Sequence, residues 1–346
     1  MRSRWDWLLL AQILAIGAIS LLIIFSINKN LALNQLVFWV LGLVIFGIFS
    51  RFDYKNWRNL STYFYIGAIA ALFLLLLIAH PVRGSVRWID LGIFRFQPAE
   101  LAKAAGILIL ANFYNQRSAK EVKNLVLSFL IILPAIILIF VQPDIGNTLA
   151  FFAIWLGISQ VAGFRFKHLL ALLFLSTLLV TFFFELLAPY QKDRLISFFN
   201  PNTDPLGTGY NLIQSKIAVG TGNFWGRGLG RGSQSQLNFL PESESDFIFA
   251  SIAEQLGFVG ATLLLILYTW LIIRLLTVAR EKNRFAQLII AGTVSFFLLQ
   301  FSVSIAMNMG LLPVTGITLP LVSYGGSSLI STLFLLGVAF SIIRYN

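Results

Sequence analysis

Apolar residues gather in long runs along this chain, and polar residues collect between them. The runs occupy 7–26, 33–49, 62–79, 98–113, 125–142, 148–161, 168–188, 249–276, 286–308 and 326–343. A helix crossing the hydrocarbon core of a bilayer needs about 20 apolar residues. The pattern therefore predicts ten transmembrane helices and an all-α polytopic membrane protein. The runs at 98–113 and 148–161 are short for a full crossing and are expected to be tilted, broken or shielded by neighbours. The first run is too long for a cleavable signal peptide, and membrane-type sequence continues after it.

Two intervals depart from this rhythm. The stretch 189–248, about 60 residues between helices 7 and 8, is far longer than an ordinary connection, and such loops tend to carry function. Within it the pattern predicts a short amphipathic helix near 209–219, followed by a glycine-rich return over the membrane mouth. The stretch 310–329 is apolar but interrupted by Pro313, Gly316, Pro320, Gly325 and Gly326. It is either a tight outer turn or non-helical backbone shielded by protein. "QPAE" and "QPDI" echo each other too briefly to make a repeat. The organisation expected is a single membrane domain, 1–346, with 189–248 as an extracytoplasmic loop within it.

Composition agrees with lipid as the solvent. The chain is 58% hydrophobic and 11% charged, with a mean hydropathy of +0.84, whereas soluble domains carry about 25% charged residues. The net charge of +11 raises the question of nucleic acid, but charge placement argues against it. With the N-terminus inside, 15 of the 25 Lys and Arg fall in cytoplasmic loops and tails. This positive-inside bias supports both termini being cytoplasmic. Two outer segments break the bias: 80–97, with Arg83, Arg87 and Arg95, and the long loop. There are no cysteines, hence no thiolate chemistry. His80 and His168 lack metal-ligand spacing, and no serine-hydrolase or nucleotide-binding motif is present.

The densest acidic cluster, Glu242, Glu244 and Asp246, ends the long loop at the outer lip of the eighth span. Asp246 there suits helix capping. It equally suits a general base that a hydroxyl approaches from water. Glu100 and Lys103 share a face of the short fourth span, either as a structural ion pair or as a functional intramembrane pair in which Lys103 meets a phosphate. Arg83, Arg87 and Arg95 suit anionic lipid headgroups, or a cradle for a diphosphate. Asp144 is explained by turn formation, or holds a divalent cation if it faces the same cavity. Glu254, eight residues past Asp246, is a paired buried charge or part of the same site.

Four stretches then carry a resemblance: "GSVRWIDLGIFRFQPAELAK", "QPDIGNTL", the run from "FFNPNTDPLGTGYNLIQSKIAVG" to "PESESDFIFASIAEQLGFVG", and "NMGLLPVTGITLPLVSYGGSS". In that order they resemble the SEDS family of bacterial cell-wall proteins over essentially the whole chain. The "GSQSQLNFLPE" form is similar to the elongation branch. The resemblance implies a ten-helix glycosyltransferase that polymerises lipid II, an undecaprenyl-diphosphate disaccharide-pentapeptide, in the bacterial cytoplasmic membrane with its active site facing outward. It implies a class B penicillin-binding protein transpeptidase and the elongation machinery as partners. It makes Asp246 the catalytic residue and carries over Arg87, Arg95, Glu100, Lys103 and Asp144 as substrate contacts. Arg194, Gln214 and Ser215 in the long loop, Glu254, and Ser327 in "GGSS" complete the candidate substrate contacts. Ser245 and "AVGTGN" depart from the family's commoner residues without removing a charge.

The expected chemistry is one inverting displacement, with Asp246 taking the proton of an attacking sugar hydroxyl and cations stabilising the departing diphosphate. A divalent cation, magnesium or manganese, is expected near Asp246 or Asp144; no organic cofactor is expected. Two other readings are a lipid II flippase and a non-catalytic scaffold for a partner enzyme. Against the first, the charge cluster lies at the outer face, not at the midplane where transporter sites usually lie.

Overall fold

Lipid-length helices make up most of the computed structural model, which describes residues 6–78, 87–90, 92, 95–165, 167, 170, 189–200, 207 and 209–345. The expected span 168–188 lies almost wholly outside the described residues, as does Arg83. Among those described, seven helices are long and apolar enough to cross a membrane. The fold is that of a helical, polytopic membrane protein. One small departure from the all-α expectation is an antiparallel pair, β1 (Ile89–Asp90) and β2 (Arg95–Phe96), in the outer arginine-bearing segment.

The chain divides into two compact units. Unit 1 comprises Met1–Asp53, Arg194–Val278 and Phe297–Asn346; unit 2 comprises Tyr54–Asp193 and Ala279–Phe296.

In unit 2, α3 (Trp57–Ile78), α4 (Pro98–Asn115), α5 (Val122–Val141) and α6 (Ile145–Val161) pack together. Proline at the first position of α4 suits a helix start. The run here is short, yet the helix is secure because its neighbours shield it: Ala99, Ala102, Ala104, Ala105 and Ala111 are all buried. These small side chains let neighbours approach closely, as is usual between membrane helices; a Cβ on Gly106 would lie 2.9 Å from the Phe151 ring. Arg284 closes the C-terminal end of α4, donating to the carbonyls of Tyr114 (3.1 Å) and Arg117 (2.7 Å), where a cation also complements the helix dipole.

In unit 1, α12 (Gly326–Arg344) is an almost wholly buried helix packed on α2 (Lys29–Arg51), with α1 (Trp7–Ile27) against α2. Phe46 and Phe340 meet edge-on at 5.2 Å. Asp6 caps α1 by accepting from the Leu9 amide (3.2 Å) and pairs with Arg274 at 2.7 Å. Residues 309–325 are not helical. They are not a surface turn either: Leu319, Leu321 and Val322 are buried. Side chains from α1 and α2 bind this backbone, Ser20 at the Val322 carbonyl (2.6 Å) and Gln35 at the Ser323 carbonyl (3.2 Å). Of the two sequence readings, protected non-helical backbone is the one adopted.

The expected span 249–276 is also altered. Helix α10 runs Ile248–Ala279 but breaks at Gly257 (φ 67°, ψ −164°), a backbone region open essentially to glycine alone. Backbone groups of the long loop sit in the break. The amides of Phe258 and Val259 donate to the carbonyls of Asn223 (2.9 Å) and Phe224 (3.2 Å), and those of Arg227 and Gly228 to Glu254 (2.9 Å) and Gln255 (3.0 Å). The break leaves 258–279 as the crossing helix, about 33 Å at 1.5 Å per residue, which suffices for the hydrocarbon core.

Candidate functional site

In unit 1 the acidic stretch 242–247 is a compact turn just before α10, and four residues from three elements pin it. The amide of Tyr324 donates to the Glu244 carbonyl (2.8 Å), and Ser323 donates to the Ser245 carbonyl (2.7 Å). Ser251, in the first turn of α10, donates to the Ser243 carbonyl (2.9 Å). The fourth tie is Asn308, the last residue of α11 (Arg284–Asn308). Its Nδ2 donates to the Asp246 carbonyl (2.9 Å) and its Oδ1 accepts from the Ala250 amide (2.9 Å). Asn308 thus caps α10 in part and fixes the backbone of Asp246 at the same time. Beneath the turn, Phe247, Ala250, Leu240 and Ala218 form a buried apolar cluster.

Asp246 itself is half-buried. Its Oδ2 lies 3.5 Å, and Arg194 Nη1 3.8 Å, from the point a Cβ on Gly316 would occupy. Carboxylate and guanidinium therefore share one small space, floored by Gly316. Arg194 sits on α7 (Pro189–Phe199) and is aimed by the Val314 carbonyl, which accepts from Nη1 at 3.0 Å. The predicted helix near 209–219 is α8 (Tyr210–Thr221). On it Gln214 is half-buried, while Ser215 is fully buried and donates to the Asn308 carbonyl (2.7 Å). Ser327 is buried in the first turn of α12.

Glu254 is fully buried. Its carboxylate accepts from the amides of Gln234 (2.8 Å) and Ser235 (3.1 Å) and from the Ser235 hydroxyl (2.9 Å), holding the short helix α9 (Ser233–Gln236) of the long loop. Of the two sequence readings, its geometry is that of a buried charge with local partners, supplied by loop backbone.

In unit 2 the structure brings Arg87, Gln97 and Asp144 together. Asp144 caps α6, accepting from the Asn147 amide (3.2 Å), and also accepts from Gln97 Nε2 (3.3 Å). Arg87 donates to the Pro143 carbonyl and places its Nε 3.8 Å from Asp144. Arg95 is largely exposed, with Asp90 at 3.9 Å across the strand pair. Glu100 and Lys103 form a buried ion pair at 2.8 Å, with Lys103 Nζ 5.0 Å from the centre of the Phe296 ring. Among the described residues, no three histidine or acidic side chains gather to hold a metal ion.

Asn308 and Gly316 escape sequence reasoning. Neither is charged, and each acts through contacts some 60 to 70 residues from Asp246 along the chain; the glycine-interrupted stretch was the one visible signal.

The fold and these residues define a polytopic helical membrane protein with an acid–arginine pair beside a pinned loop. A family model described as cell cycle protein, covering FtsW, RodA and SpoVE, matches residues 5–346, and the chain belongs to this family. It is 38% identical over 305 residues to the peptidoglycan glycosyltransferase MrdB of Escherichia coli strain K12, covering 87% of this chain and 82% of that one. It is 36% identical to stage V sporulation protein E of Bacillus subtilis, covering 91% and 87%. Among solved structures it superposes on a chain from work on the structural coordination of polymerization and crosslinking by a peptidoglycan synthase complex. The TM-score is 0.85, with 32% identity and 99% of each chain covered. The rod shape determining protein RodA of Thermus thermophilus gives 0.74, with 29% identity and 99% and 98% covered.

Proposed function

We propose that the protein is a peptidoglycan glycosyltransferase that polymerises lipid II into β-1,4 glycan strands during cell elongation. The observation that carries this reading is Asp246 beside Arg194, in a turn fixed by four residues, within a chain of the family to which MrdB belongs. The hydroxyl at C4 of an acceptor N-acetylglucosamine attacks the anomeric carbon of the donor N-acetylmuramic acid. Asp246 takes the hydroxyl proton, the bond to the diphosphate breaks, and undecaprenyl diphosphate leaves. A single displacement inverts an α-linked donor to a β product without a covalent enzyme intermediate. Arg194 offers positive charge beside Asp246 for the diphosphate; Arg87 and Arg95 are kept in the proposal as substrate contacts. A divalent cation, magnesium or manganese, near Asp246 or Asp144 is part of the same proposal and would offset the charge of the departing diphosphate.

The proposal includes ten spans with both termini cytoplasmic, the long loop outside, and a class B penicillin-binding protein as partner. The synthase complex among the structural relatives, in which polymerisation and crosslinking are coordinated, supports that partner.

The test is to incubate purified wild-type and Asp246→Asn protein with labelled lipid II, alone and with a class B penicillin-binding protein, and resolve glycan chains on a gel. The substitution is expected to leave folding intact and to lower polymerisation about 10²–10⁴-fold. Normal polymerisation by Asp246→Asn refutes the base assignment. Wild-type protein that scrambles lipid II in vesicles but makes no glycan favours transport instead.

A further inference from the structure

Unit 2 carries a cavity that the polymerisation reading does not use. It opens among α3, α4 and α5 at the end where the positive-inside bias places the cytoplasm, and its volume is about 310 Å³. Its lining is graded. Arg117 and Gln116 stand just past the C-terminus of α4, at the water boundary. One turn deeper come Asn112 on α4 and Thr62 on α3; deeper still are Ile109 and Ile131. Ile131 lies nine residues along α5 from Val122, about 14 Å at 1.5 Å per residue. That is close to the depth of one leaflet, half of a core about 30 Å thick.

The polar groups in the cavity are pre-set. The Arg117 guanidinium lies over the Phe113 ring, 4.5 Å from its centre, and among the described residues it has no carboxylate within 4.0 Å. Asn112 spends its amide hydrogens on α3, at the Arg58 carbonyl (2.8 Å) and the Ser61 hydroxyl (3.1 Å), which leaves its side-chain oxygen as an acceptor. Tyr65 donates to the Ile131 carbonyl (2.7 Å) and ties α3 to α5 at the deep end. The connections on this side are basic in sequence: Lys55, Arg58, Lys120, Lys123, Lys282 and Arg284 outnumber Asp53, Glu121 and Glu281. Lys282 is held below the ordinary lysine value, first by burial and then by Lys55, with Glu281 opposing.

A cation at the boundary, a hydroxyl able to donate next (Thr62), and hydrocarbon below complement in order the phosphate, ester carbonyl and acyl chain of a glycerophospholipid. We propose that this cavity is a specific site for one anionic glycerophospholipid of the inner leaflet. Its phosphate rests on Arg117, an ester carbonyl accepts from the Thr62 hydroxyl, and an acyl chain lies against Ile109 and Ile131. Basic pockets between membrane helices on the cytoplasmic side are suited to such headgroups.

The test is native mass spectrometry of the purified full chain titrated with phosphatidylglycerol, phosphatidylcholine or glycerol 3-phosphate, with melting temperature as the fold control. Wild type is expected to retain one phosphatidylglycerol in preference to phosphatidylcholine. Arg117→Gln should weaken that binding about fivefold. Thr62→Trp, which fills the cavity without changing charge, should abolish it; Ile131→Phe is a smaller filler with the same readout should Thr62→Trp melt early. Wild-type retention by Arg117→Gln or by a folded filler variant overturns the site, and equal binding of phosphatidylcholine overturns the anionic preference. Full competition by glycerol 3-phosphate assigns the cavity to a soluble anion and overturns the lipid.

Discussion

Asn308 shows how an uncharged side chain governs a charged one. Its amide group donates to the carbonyls of Asp246 and Ser304 and accepts from the Ala250 amide, and its own carbonyl accepts from Ser215. All of this occurs with no solvent exposure. Leaving a buried polar group unpaired costs about 1–3 kcal/mol, so the network defines where Asp246 sits. Asn308→Asp keeps the acceptor for Ala250 but turns a lone pair toward two carbonyls. It is expected to shift the Asp246 backbone and lower kcat about 10²-fold, the scale of a 1 Å misplacement, with KM little changed because Asn308 is placed to act through Asp246. Steady-state polymerisation kinetics check this; an unchanged kcat in a correctly folded Asn308→Asp protein removes its positioning role. Glu254 follows the same logic with opposite consequences for the sequence reading. Its charge is conspicuous in an apolar helix, but four hydrogen-bond donors from residues 233–235 surround the carboxylate. A buried acid in an apolar helix does not by itself reveal whether its partner is substrate or loop.

The broken helix α10 is the element on which the long loop depends. Gly257 and Gly226 both have positive φ, and their backbones touch: a Cβ on Gly257 would lie 2.2 Å from the Gly226 nitrogen, and one on Gly226 would lie 2.2 Å from the Gln255 oxygen. Either alanine adds backbone strain of roughly 1–3 kcal/mol and overpacking of about the same size. Because both changes spoil one contact, their costs should not add. Gly226→Ala, Gly257→Ala and the double variant are expected to melt early, the double close to the worse single. Fully additive losses would show that the two glycines serve separate purposes. Sequence reading saw the helices well and this break poorly, for one reason. Lipid demands about 20 apolar residues of a span wherever it lies, so α1, α4 and α12 fall within two residues of the runs that predicted them. The break demands only a glycine and a partner, and the partner is loop backbone some 30 residues earlier, invisible to hydropathy. The 310–329 stretch was legible as irregular because its prolines and glycines are dense; the side chains that shield it, Ser20 and Gln35, sit in helices far away in sequence.

At the scale of the whole molecule, the proposed chemistry requires the pinned turn at 242–247 to face away from the cytoplasm, where lipid-linked sugars are assembled into wall. Charge supports that orientation. Arg117, Lys120, Arg280 and Arg284 crowd one set of connections, and short loops rich in Lys and Arg stay inside. Of the two exceptions, length accounts for the loop carrying Arg227 and Arg231, since long segments are translocated largely regardless of their charge; in the other, 80–97, Arg87 and Arg95 are those assigned to substrate in the proposal. The chain offers a clean way to decide, since it contains no cysteine and any introduced thiol reports alone. Arg231 and Lys120 are both exposed and outside the candidate site, so replacing either should leave the fold undisturbed. In intact spheroplasts, a membrane-impermeant maleimide is expected to label Arg231→Cys and to spare Lys120→Cys until the membrane is permeabilised. The reverse pattern would place Asp246 on the cytoplasmic side, out of reach of outward-facing lipid II, and the polymerase reading would fail on topology alone, whatever the geometry around that carboxylate.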